Sequence, residues 1–232
     1  MREYFIDIPT IIIGIIIYII IFILTILEYL IKKELILIFF LAEIIGLIYD
    51  GTIILLGFSM SDNVLLFFNK LRFILHGFLV PLLILFSGYA LNLEGRKKLY
   101  NSIVSLLLSI IGIIVGIVTK LEIVNSILKR CTFSRDESKF VKIIFSLMNI
   151  GCVIYMIVAG IILYVKRRDY LFFLSGFCMF IFSAIGPATG NSDLNYLLSM
   201  YGEVLMIIFL YLFFKKNELF NSNNYEVQNK IK

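Results

Sequence analysis

The sequence predicts an all-α fold, a polytopic transmembrane helical bundle of about seven spans. Three observations carry this. Of 232 residues, 61% are hydrophobic and only 16% charged, where soluble domains hold roughly 45–50% apolar and about 25% charged residues. The apolar residues fall into runs near the ~17–25 residues that cross a bilayer. The charged residues collect between those runs.

Residues 8–31 form the first span. The run is longer than a signal-peptide core, has no small-residue cleavage site and stops at Lys32 and Lys33, so it is expected to remain as an anchor. Further spans follow at 35–58, 73–93 and 103–119. The connection 120–142 alone has room for structure of its own. Leu121, Ile123, Val124, Ile127 and Leu128 lie there at helical spacing, which predicts a short interfacial helix over 120–130. Spans at 143–165, 170–187 and 194–214 complete the set, the fourth and sixth being near the short limit. Residues 1–214 thus read as one transmembrane domain and 215–232, rich in Asn and charge, as a flexible polar tail.

The net charge of +5 does not point to nucleic acid, because the Lys and Arg residues sit at span ends, where they set topology and meet anionic headgroups. Every connection on the face opposite the N-terminus (the second face) carries a compact basic cluster: Lys32–Lys33, Arg96–Lys98 and Lys166–Arg168. That predicts a cell-membrane protein with its N-terminus outside and its C-terminus cytoplasmic. Cys131, Cys152 and Cys178 are scattered, and His76 is the only histidine. No metal site, haem or other cofactor is predicted. A retinal-type lysine deep in the last span, P-loop, GxSxG, HExxH and paired Asp-rich motifs are all missing.

Polar residues inside spans are the informative exceptions, since each costs roughly 2.5–3.5 kcal/mol on insertion scales. Glu43 and Asp50 stand two helical turns apart on one face. Asn69, Arg72 and His76 are spaced to share another. Glu203 lies mid-way along the last span, with Tyr196 one face-repeat earlier, after a turn-rich link, 185–193 (IGPATGNSD), that holds Asn191 and Asp193. By depth, most of these residues fall in the half of the membrane nearer the N-terminus (the first face), and the other half reads as almost free of polar side chains. The expected site is a polar pocket opening at the first face. Asp50, His76 and Glu203 are its candidate catalytic residues, and Glu43, Asn69, Arg72, Asn191, Asp193 and Tyr196 its candidate binding residues. An Asp50–Arg72 pair could also serve packing alone.

Residues 49–57 (YDGTIILLG), 69–83 (NKLRFILHGFLVPLL) and 202–205 (GEVL) resemble segments of a seven-span integral membrane protein family of bacteria and fungi. The resemblance covers about a quarter of the chain and implies a fold but no activity. A looser likeness, in size and span number without a shared motif, is to integral-membrane terpene cyclases. It implies acids in an early and a late span that protonate an epoxide or alkene, with Glu43 or Asp50 and Glu203 in similar places. The Ile, Lys and Asn bias suggests an AT-rich bacterial genome.

Three functions remain open. The protein binds or processes a lipid-like small molecule, its partners being that molecule and membrane lipids; or it is a small proton-linked transporter using Glu43 and Glu203; or it is a structural or accessory subunit. An enzyme or binder should gather its polar residues at a closed-ended pocket. A carrier should line a through-path, and a structural subunit should pair them off with no cavity.

Overall fold

The computed structural model describes residues 4–124, 129–190 and 192–230, with the side chains of residues 4–7, 187, 192–193 and 217–230 outside that description. The element order is α1 (Tyr4–Lys32), α2 (Leu35–Leu56), α3 (Asp62–Leu79), α4 (Leu82–Ala90), α5 (Gly95–Val118), β1 (Leu121–Val124), β2 (Arg130–Phe133), α6 (Lys139–Arg167), α7 (Leu171–Ala188) and α8 (Ser192–Lys230). Six stretches are long and apolar enough to cross a membrane, and the apolar part of α7, Leu171–Gly186, is a shorter seventh. The chain is a multi-pass membrane protein. Its outward surface fits that solvent: Ile13, Ile31, Leu106, Leu147 and Val165 are all more than half exposed, an arrangement water would penalise.

α3 and α4 are one span, Asp62–Ala90, broken at Val80–Pro81. Proline has no backbone N–H and cannot continue the ladder. Within a membrane the freed carbonyls need donors from elsewhere, and α5 supplies one at Phe78 while adding a second donor to the Pro81 carbonyl, which already accepts from the Ile84 N–H, and one to the Ile84 carbonyl within α4. Ser109 Oγ donates to the Phe78 carbonyl (2.9 Å), Ser105 Oγ to the Pro81 carbonyl (2.8 Å) and the Asn101 amide to the Ile84 carbonyl (2.9 Å). The same face of α5 continues with Gly112 and Gly116. A Cβ on Gly112 would run into the backbone of Gly77, and one on Gly116 into the backbone at Ile74. α3 and α5 therefore approach almost backbone to backbone, as small residues allow in membranes.

α7 and α8 form the other tight pair. Ser175 Oγ donates to the Met206 carbonyl (3.1 Å), and Gly202 lies against Met179 and Phe182. The main core runs from α1 through α2, α4 and α6 to α8, with Tyr18, Phe40, Phe86, Met156, Phe172 and Phe213 almost fully buried.

The connection after α5 differs from its expectation. In place of an interfacial helix over 120–130, β1 and β2 pair antiparallel, with Leu121 opposite Phe133 and Val124 opposite Arg130; residues 125–128 lie outside the described residues. The apolar set that fits a helical stripe also contains the alternating pair Leu121 and Ile123. Both pack on the Ile53, Leu65 and Cys131 cluster, as one face of a strand would. β-branched Ile123, Val124 and Thr132 favour the extended form. The hairpin is pinned down by Phe133 on Phe73 and Phe145 (5.2 and 5.5 Å between ring centres). Lys129 adds an ion pair with Asp62 (2.8 Å).

Candidate functional site

Two regions carry polar side chains into the bundle, one in each half of the membrane. In the first-face half, Arg72 on α3 forms an ion pair with Asp50 on α2. Arg72 Nη1 also donates to Asn69 Oδ1 (3.2 Å), while the Asn69 amide donates to the Leu65 carbonyl (2.9 Å). Tyr196 on α8 donates its hydroxyl to the other Asp50 oxygen (3.4 Å). The guanidinium groups of Arg72 and Arg130 lie over its ring, 5.8 and 5.6 Å from the centre. The hairpin thus closes this cluster from the first face through Arg130.

Glu43, Asp50, Arg72 and His76 line one cavity of about 20 Å³, together with Gly46, Leu47, Leu75 and Leu79. The spacing arguments explain why: two turns along α2 and one turn along α3 bring each pair onto the facing surfaces. His76 stacks on Phe145 of α6 (5.8 Å, rings 25° apart). Glu203, half-buried on α8, lies within electrostatic reach of Asp50, Arg72 and Glu43. The buried hydroxyl of Tyr18 on α1, within reach of Glu203, Tyr196, Asp50 and Glu43, makes no hydrogen bond among the described residues. Asn191 and the side chain of Asp193 lie outside the described residues. Among those described, no three His, Cys, Asp or Glu side chains are placed to hold a metal ion.

The second region lies outside the site expected from the sequence. A crevice of about 700 Å³ lies between the second-face ends of α2 and α5, floored by α3 and α4. Ile36 and Phe39 form one wall, Ser102, Ser105, Leu106 and Ser109 the other, and Phe78, Leu82 and Leu85 the floor. Glu34, Tyr89, Glu94 and Lys98 stand at the rim, where the Tyr89 hydroxyl donates to Glu34 Oε2 (2.5 Å). This corrects the expectation that the second-face half holds almost no polar side chains. α5 begins at Gly95, eight residues before the predicted span, so Asn101, buried, and Ser102, facing the crevice, lie on a spanning helix rather than in a loop. The recurrence of Asn101, Ser105, Ser109, Gly112 and Gly116 along one helical face was the available signal.

On the facing surface of α2, Phe39 of the crevice and Glu43 of the small cavity are four residues apart and share a face. The two hollows therefore lie end to end, separated by about one helical turn of apolar side chains. Cys131, on β2 and outside the spans, is buried against Ile53 and Leu65, and burial pushes its thiol up to about 11. Comparison with family models and with curated proteins returns no match for this chain.

Proposed function

We propose that this membrane protein binds a lipid-like small molecule, and that the α2–α5 crevice receives it. The crevice itself is the observation that supports this most. Its volume of about 700 Å³ falls within the ~300–1,000 Å³ of small-molecule sites, and its mainly apolar lining with a few placed polar groups is the usual make-up of such sites. Leu35 and Leu106 beside its mouth are 66% and 60% exposed, so an acyl or isoprenoid chain could enter from the bilayer. Glu34, Tyr89 and Lys98 would meet its polar end. The 20 Å³ cavity at the Asp50–Arg72 pair is too small for such a ligand. On this reading the first-face cluster braces and polarises the bundle, and any acid–base part of Asp50, His76 and Glu203 lies beyond the crevice's inner end.

The basic clusters at Lys32–Lys33, Arg96–Lys98 and Lys166–Arg168 favour a cytoplasmic second face, which places the mouth of the crevice in the cytoplasmic leaflet of the cell membrane. Native mass spectrometry of the protein released from lipid nanodiscs tests the reading. A retained amphiphile that is lost when Ser102→Trp fills the crevice supports it, and equal retention by that variant sinks it. One observation favours a second reading, a small proton-linked carrier: Phe39 and Glu43, one turn apart on α2, line the two hollows in succession. Proton flux into proteoliposomes that disappears in Glu43→Gln would select the carrier over the binder.

A further inference from the structure

The small cavity between α2 and α3 supports a separate assignment that does not depend on the crevice. Glu43 is 4% exposed and lines this cavity, yet its carboxyl makes no hydrogen bond among the described residues, and its Oε2 is buried without a partner. His76, on the opposite wall, likewise makes only its ring contact with Phe145. Buried polar groups in folded proteins are nearly always satisfied, so the wall calls for a small guest that both donates and accepts. Size and charge narrow the choice. About 20 Å³ exceeds the ~10–15 Å³ that one water needs and is below the ~30 Å³ that a water molecule occupies in the liquid. A cation would meet the Arg72 guanidinium, and an anion would meet Glu43 and Asp50.

We propose that this cavity is a binding site for a single water molecule, which joins Glu43 to His76 and to the Asp50–Arg72 pair. The water donates to the Glu43 carboxyl and uses its remaining positions on the His76 ring and on the ion pair. The result is one continuous hydrogen-bonded network. It runs from Glu43 in mid-membrane through the water to Asp50 and Arg72, and from them to Asn69 and Tyr196. Each of the two helices contributes at least two of its members.

Brief X-ray radiolysis of the full chain in nanodiscs, followed by peptide mass spectrometry, tests this, because a bound water yields hydroxyl radicals where bulk water does not reach. Half-buried His76 and buried Leu79 should be oxidised several-fold faster than Ile44 and Leu83, which are buried and line neither of the two hollows. The excess should persist in Glu43→Gln, which keeps a hydrogen-bonding group, and fall to the background rate in Glu43→Leu. Leu75→Phe, which fills the cavity and leaves every polar group in place, should also remove it and serves if Glu43→Leu does not fold. Oxidation of His76 and Leu79 at the background rate in the unaltered chain would overturn the assignment. So would an excess that survives Leu75→Phe, since the oxidant would then come from bulk water.

Discussion

The two polar regions of the bundle solve the same problem in opposite ways. In the first-face half, charged groups are brought together until little space remains: Asp50, Arg72, Asn69 and Tyr196 satisfy one another around a 20 Å³ hollow. In the second-face half the charged groups stay at the rim of the crevice, and the polar groups deeper in are uncharged and turn towards backbone. Asn101, Ser105 and Ser109 donate to carbonyls in and around the helix break, and a cavity some 35 times larger opens beside them. Charge in a low-dielectric interior must be paired closely, which closes space. Hydroxyls need one partner each, and they leave their surroundings free to part. The difference separates a closed brace from an open crevice within one bundle.

The largest effect that would break this comparison is expected in the brace. Removing one partner of a buried pair leaves the other charge uncompensated, at roughly 3–5 kcal/mol. Asp50→Ala should therefore lower the unfolding temperature in nanodiscs sharply, while the apolar double variant Asp50→Leu with Arg72→Met should recover most of the loss. A double variant as unstable as the single one would mean that the charges do more than brace. Next comes the backbone crossing. Gly112→Leu forces α5 away from Gly77, and overpacking of this kind costs about 1–3 kcal/mol or more. Equilibrium unfolding by denaturant would read it, and an unchanged midpoint would mean that α3 and α5 do not cross so closely.

A smaller loss is expected at Ser105→Ala. Polar interactions between membrane helices average about 0.6 kcal/mol, so this variant should shift stability slightly while sparing lipid retention. Smallest of all is the effect of Ser102→Trp on stability, about 0.5 kcal/mol or less as for surface positions, even though it should abolish ligand retention. If it unfolds the protein instead, the crevice is part of the core. A chemical check concerns the hairpin that covers the brace. With the Cys131 thiol raised to about 11, its reactive thiolate is scarce at neutral pH. Maleimide labelling should be slow at pH 7 and accelerate as pH climbs towards 11. Rapid labelling at pH 7 would mean that the hairpin lifts off Ile53 and Leu65.

The helices were largely legible because bilayer thickness imposes a length that a run of apolar residues reveals directly. The facing of Glu43 with Asp50, and of Arg72 with His76, was legible from helical period alone. The hairpin was not, because Leu121, Ile123 and Val124 satisfy both periods over so short a stretch. The crevice was hidden for a different reason. A cavity is made by what fails to fill space between α2 and α5, and neither helix alone records that. The proline at position 81 stands in the sequence, but nothing there shows that Ser109 would supply a donor to the Phe78 carbonyl, since that depends on which helix lies alongside.

The pairing of Asp50 with Arg72 also constrains how the chain enters a membrane as it is made. A charge placed singly at the centre of a span costs an insertion machinery roughly 2.5–3.5 kcal/mol, and Asp50 leaves the ribosome 22 residues ahead of Arg72. α2 emerges with its acid unmatched, and α3 brings the matching base only after it. The two segments are best released into lipid as a joined hairpin rather than one after the other. A nascent chain arrested before Arg72 should therefore remain at the translocation channel, and one arrested after α3 has emerged should partition freely.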